Sequence, residues 1–180
     1  MKQDIWQKTL INGLLGATLL LSACANATTD TAKLNTIKAL YEDTIKALSS
    51  DFDNDSLDTL ALYANTELQQ AIRVVKADSM NASNDDYDVF SNCSETRYIM
   101  NLTVGNGYSI DEAADVNYQL LKNGRVRASV LMMGDENINA ADFDNFKDFA
   151  LSCTNNHCKI SDMFENTGES AIQTAALYCK

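Results

Sequence analysis

Four cysteines, Cys93, Cys153, Cys158 and Cys179, fall in the second half of this chain, two of them only five residues apart. Whether they tie the fold together depends on the compartment, and the N-terminus speaks to that. Met1-Lys2-Gln3-Asp4 and Lys8 open the chain, and an apolar stretch runs from Leu10 to Leu21. A dozen helical residues rise only about 18 Å, well short of the ~30 Å hydrocarbon core of a bilayer. A short basic start, a short apolar run and small residues at its end form the pattern of a secretory leader. An even set of cysteines in an exported chain reads as disulfides. Four cysteines allow three connectivities.

The leader ends in Leu21-Ser22-Ala23-Cys24, which resembles the lipobox of bacterial lipoproteins. The resemblance implies cleavage after residue 23 and a diacylglycerol on the Cys24 sulfur. It also implies an outer-membrane destination facing the periplasm, because alanine rather than aspartate follows the cysteine at Ala25. Two or more acyl chains hold a protein stably where one does not. Residues 24–33 are polar and lack an apolar period, so they are expected to form a flexible tether. Residues 34–180 are expected to form one periplasmic domain, and about 157 residues suffice for a proper core.

The formal charge of the chain is −11, and removal of Lys2, Asp4 and Lys8 makes it slightly more negative. That balance disfavours nucleic acid, whose backbone demands a basic stripe. It favours a basic protein or cationic ligand. Proline is absent, and no composition shift divides the domain.

Leu34, Ile37, Tyr41, Thr44, Ile45 and Leu48 follow the three-four spacing of an amphipathic helix. A second helix is expected from Ser56, with Leu57, Leu60, Ala61 and Ala64 on its apolar face. Thr66 and Gln69 form a capping-box pair for a third helix over 67–76, with Leu68, Ala71, Ile72 and Val75 inward. Asp78 to Asp88 reads as an acidic loop. Tyr98, Met100, Leu102 and Val104 alternate, which predicts a strand over 97–104. Ser109 and Glu112 suggest a brief helical turn.

The segment VNYQLLKNGRVRASVLMM reads as a hairpin. A three-residue loop, Lys122-Asn123-Gly124, pairs Leu120 with Val126, Tyr118 with Ala128 and Val116 with Val130. A two-residue loop would set Gln119 against Ala128. Hydrophobic pairing fixes register, and glycine suits the third loop position. A second hairpin over FALSCTNNHCKISDMF, with loop residues 154–157, sets Leu151 opposite Ile160 and Cys153 opposite Cys158. Directly opposed side chains lie within reach of a disulfide. The hairpin thus favours Cys153–Cys158 and, by subtraction, Cys93–Cys179, with the other two connectivities still open. A short closing helix over 170–178 offers Ala171, Ile172, Ala175 and Ala176 for packing.

Helices followed by long antiparallel strands indicate an α+β fold, N-terminal helices packed in a curved antiparallel sheet. IKALYEDTIKAL, LALYANTELQQAI and the ending FALSCTNNHCKISDMFENTGESAIQTAALYC resemble the cone-shaped nuclear transport factor 2-like superfamily. Within it, they are similar to a group of small exported bacterial proteins of unknown function. The usual glycine-tryptophan before the last lysine is His157-Cys158 here. The superfamily holds isomerases, dehydratases and non-catalytic binders, so the fold alone assigns no activity.

No catalytic constellation emerges. His157, the only histidine, sits in a turn beside two cysteines, and the glycine-x-serine-x-glycine elbow of serine hydrolases is missing. Asp115 and Tyr118 fall at strand positions that look into a cone but are explained as well by packing and capping. Asp51, Asp53 and Asp55 alternate like a calcium loop, yet Ser56 and Leu62 stand where an EF-hand needs glycine and glutamate. Capping by Asp55 or Ser56 is the simpler role. Cys153, His157 and Cys158 as zinc ligands lose to a disulfide in an oxidising compartment, and Gly105-Asn106-Gly107 lacks phosphate-loop spacing. No metal or cofactor is therefore expected. The expectation is a membrane-anchored, non-enzymatic binding module, such as an immunity-type inhibitor of a basic envelope-targeting protein. A small-molecule carrier or enzyme using the cone pocket is the alternative. The membrane-extracted protein should begin at Cys24 and carry acyl mass there, as read by mass spectrometry of its N-terminal peptide; an unmodified thiol refutes the anchor.

Overall fold

The computed structural model describes residues 27–47, 55–82, 93–102, 116–132 and 143–179. The leader, Cys24, Asp51, Asp53, Gly105 to Gly107, Ser109, Glu112 and Asp115 lie outside them. The described residues are mixed α+β, with five helices and a four-stranded antiparallel sheet in the order β1-β2-β3-β4.

Helix α1 covers residues 27–47. It buries Ile37, Leu40, Tyr41 and Thr44 on one stripe, close to the spacing read from the sequence. Residues 27–33, expected to belong to a tether, are already helical. Ala27 and Ala32 are good helix formers, and the Thr31 and Thr36 hydroxyls donate back to the Ala27 and Ala32 carbonyls. Lys33 fastens this part of the helix to the sheet by donating to the Gly124 carbonyl at 3.2 Å.

Helix α2 (Ser56–Tyr63) starts at Asp55, whose carboxylate accepts from the Leu57 amide at 3.0 Å. The same carboxylate pairs with Arg97, so its role is capping and cross-linking. Ala64 then turns extended and forms a parallel bridge to Ile160, while the Asn65 amide donates to the Ile160 carbonyl at 2.8 Å. Helix α3 (Thr66–Ala82) is capped by Asn65, whose side chain accepts from the Leu68 amide. The expected Thr66–Gln69 capping box does not form; Gln69 donates instead to the carbonyls of Ala61 and Ala64. Leu68, Ala71, Ile72 and Val75 are all buried as expected. The helix runs on through Ala82, into the segment read as a loop.

Helix α4 (Ser94–Met100) takes the first half of the strand expected over 97–104, of which residues 103 and 104 lie outside the described residues. Thr96, Ile99 and Met100 are buried while Tyr98 is exposed, which is helical rather than alternating spacing. Tertiary ties decide the matter. The Cys93 amide donates to the Asp78 carboxylate of α3, and the Cys93 sulfur is bonded to Cys179.

Strands β1 (Asn117–Leu120) and β2 (Val126–Met132) pair Leu120 with Val126 and Tyr118 with Ala128. The loop is Lys122-Asn123-Gly124, closed by Leu121–Arg125 and Leu121–Gly124 backbone bonds, with Gly124 at φ +80°. Val116, one residue before β1, is buried. Strands β3 (Phe143–Thr154) and β4 (His157–Phe164) set Leu151 opposite Ile160 and Cys153 opposite Cys158. The ladder reaches Thr154–His157, so the turn is only Asn155-Asn156, both left-handed at φ 51° and 62°. Asparagine tolerates that geometry better than other side chains, and it matches strand twist. A register shift opposite Ala150 and Leu151 skips Ser161, which makes a β-bulge in β4. Helix α5 (Ala171–Tyr178) is capped by Ser170, and Asp162 of β4 accepts from both the Ser170 hydroxyl and the Ile172 amide.

Both disulfides of the favoured connectivity are present, Cys93–Cys179 and Cys153–Cys158. The first spans 86 residues and the second five. Loop-closure entropy makes the first the stronger constraint on the unfolded chain. Replacing Cys93 and Cys179 together by serine should cost about 2–5 kcal/mol in urea unfolding, and the Cys153/Cys158 double replacement distinctly less.

Candidate functional site

Two rows of side chains cross the sheet on the face that meets the helices. One is apolar: Leu120, Val126, Phe149 and Met163 lie side by side through successive pairings. The next is polar. Tyr118 pairs with Ala128, Ala128 with Lys147, and continuing the β3–β4 register by one residue sets Lys147 beside Glu165.

Lys147 and Glu165 are 5% and 6% exposed, and they form a direct ion pair. The Lys147 ammonium also donates to the Tyr98 carbonyl of α4 at 3.0 Å and stands 4.9 Å from the Tyr98 ring centroid. Burial pulls its pKa down, and the Glu165 carboxylate opposes that shift. A lone buried charge would be very costly; the carboxylate and the carbonyl between them satisfy this one. Glu165 is held by a tight turn in which Gly168, at φ +88°, donates its amide to the Glu165 carbonyl.

At the other end of the row Tyr118 meets Tyr41 edge to face, ring centroids 6.0 Å apart, and Tyr41 meets Phe149 likewise at 6.2 Å. Burial raises the Tyr41 pKa above its ordinary value, with Tyr118 and Glu165 adding to the effect. Tyr118 is pushed up to about 12 by burial and by the charge of Glu42. Among the described residues its buried hydroxyl has no hydrogen-bond partner. Tyr41, Phe149, Met100 and Met163, all at 1% exposure or less, belong to the same buried core. The row therefore holds a fixed internal charge pair rather than an acid or base facing open space.

Concavity lies elsewhere. A groove of about 600 Å³ runs between α3 and α5, lined by Ala71, Val74, Ile172 and Ala175 together with polar residues of α3 such as Glu67, Gln70 and Arg73. A second hollow of about 420 Å³ separates α2 and α3, flanked by the Asp58–Lys76 ion pair. Helix α5 also exposes Leu177 and Tyr178 at 64% and 52%. Apolar area left in solvent beside a groove is a feature of binding surfaces.

No family model, curated protein or solved structure matches the chain.

The structure separates the residues singled out in the sequence. Tyr118 enters the polar row, His157 is exposed at the start of β4, and Cys153 and Cys158 are consumed by their disulfide. Among the described residues no group of three metal-ligating side chains converges. Lys147 and Glu165 escaped the sequence reading. Their only signal was a lysine two residues before Phe149 and four before Leu151, in phase with the inward face of β3.

Removing one member of a buried ion pair strands the other, whereas replacing both by apolar groups of similar volume is often neutral. Lys147→Met should therefore cost about 3–5 kcal/mol in urea unfolding, and Lys147→Met with Glu165→Leu should regain most of it. A double variant no better than the single one would mean that the charges have a role beyond mutual neutralisation.

Proposed function

We propose that this chain is an exported lipoprotein, anchored through Cys24 to the periplasmic face of the outer membrane, that acts as a non-enzymatic binding module. The groove between α3 and α5 is the observation that carries this reading. It is mainly apolar, it lies between α3 and α5, of which α5 is tied by a disulfide to the start of α4, and it opens to solvent. The two disulfides suit an oxidising compartment, in keeping with the leader. The resemblance to the nuclear transport factor 2-like cone is retained as the fold reading. Supporting it are the antiparallel order β1-β2-β3-β4, the bulge in β4 and the helices packed on one face.

The partner that fits is a basic envelope protein with an amphipathic segment. Its apolar residues would enter the groove, and the net charge of −11 would draw it in. An immunity-type inhibitor of a lytic or toxic protein is one form of this function. The carrier or enzyme reading rests on the orphaned Tyr118 hydroxyl. Against it stands the close aromatic packing of the same residue: Tyr41 meets the Tyr118 ring edge to face and Phe149 backs Tyr41.

A photo-cross-linking residue at Ala176, exposed beside the groove, should trap a discrete basic protein in living cells. The adduct should disappear with Val74→Asp and be absent when the probe sits at exposed Leu131 of β2. No adduct at Ala176, or one indifferent to Val74→Asp, overturns the groove as the binding surface.

A further inference from the structure

Helix α1 is ordered against the β1–β2 hairpin by two contacts. Tyr41 lies on Tyr118, and Lys33, eight residues earlier, reaches Gly124 at the hairpin tip. So α1 runs antiparallel to β1, and its early turns stand at the tip. From residue 27 to Lys33 a helix rises about 9 Å, and the three residues back to Cys24 span at most about 10 Å. The end of the domain that bears the tip is the end nearest the proposed anchor.

That end is cationic on an otherwise acidic chain. Lys122 is exposed in the loop, Arg125 is half-buried with its guanidinium 3.3 Å from the Phe164 ring centroid, and Lys33 stands beside them. Asp30, 4.0 Å from Lys33, is the counter-charge in contact with this group. Stacking on Phe164 holds the Arg125 guanidinium in place by cation–π attraction, and a planar guanidinium suits phosphate oxygens.

We propose that the hairpin tip faces the membrane and that Lys122 and Arg125, backed by Lys33, contact the phosphates of anionic phospholipids. This rests on the lipid anchor proposed above. The acyl chains hold the protein at the bilayer and the tip fixes which way the domain faces, leaving the rest of the acidic surface turned away from like charge. A basic side chain at an anionic surface strengthens contact about fivefold, and the effect fades with salt.

The sole tryptophan, Trp6, lies in the leader, so a single tryptophan placed in the cleaved chain reports alone. The full chain carrying Asn123→Trp is extracted from membranes and reconstituted into vesicles with bromine-labelled acyl chains. One set is phosphatidylcholine and the other adds phosphatidylglycerol. Quenching of the probe should rise with phosphatidylglycerol, fall again in high salt, and drop to the phosphatidylcholine level on adding Lys122→Glu. Arg125→Gln should act in the same direction, and a probe at exposed Leu177 should ignore lipid charge. Equal quenching in both vesicles, or indifference to Lys122→Glu, overturns the proposal. The N-terminal peptide mass of the same preparation separates the two readings. A lipidated Cys24 with an indifferent tip removes only the orientation, whereas an unmodified Cys24 removes the anchor and the orientation together.

Discussion

The bond between Cys93 and Cys179 joins the start of α4 to the end of α5. Helix α4 has only seven residues, too few to be stable alone. Held by the bridge and by Asp78, it presents the Tyr98 carbonyl to Lys147. Lys147 can then stay charged inside the protein and keep Glu165 beside it. Glu165 sits in the turn that leads from β4 into α5, which carries Cys179. The covalent link, the short helix, the buried charges and the closing helix thus form one loop of mutual dependence, and the α3–α5 groove is built on its rim.

That loop explains where sequence reasoning succeeds and where it stops. The register of both hairpins was legible because each had a local determinant, Gly124 with Leu120–Val126 and the facing pairs Leu151–Ile160 and Cys153–Cys158. The second turn is nevertheless two residues shorter than its expected 154–157 loop. Their register follows from matching apolar residues a few positions apart, and the disulfide pairing followed from the second hairpin. The segment 94–100 was not legible in the same way. Its residues satisfy a period of two as well as a helical one, and the choice is made by Cys93, Asp78 and burial of Thr96, Ile99 and Met100. Residues 27–33 look like a polar tether until Lys33 is seen to find Gly124, 91 positions away. Lys147 and Glu165 are neighbours only once β3 and β4 are aligned. Short-range pattern is visible in one segment at a time; a contact that decides between two patterns is not.

The division between interior and surface bears on function. Ion pairs sealed in a core contribute little net stability but penalise arrangements that separate the partners. In this chain the pair sits beside an aromatic cluster, Tyr41, Tyr118 and Phe149, with large rings meeting at their edges. Stiff packing of this kind makes the sheet and α1 a scaffold. The side chains open to a partner are on α3, α5 and the hairpin tip, on elements that this scaffold positions.

Asn65 and Ala64 do more than end one helix and start another. By engaging the Ile160 carbonyl they occupy part of the outer margin of β4, while β1 at the opposite margin has only four residues. Unsatisfied strand margins invite neighbouring molecules to extend the ladder, and that hazard grows with local concentration. Covering part of one margin and shortening the other leaves little strand backbone on which a second copy could polymerise.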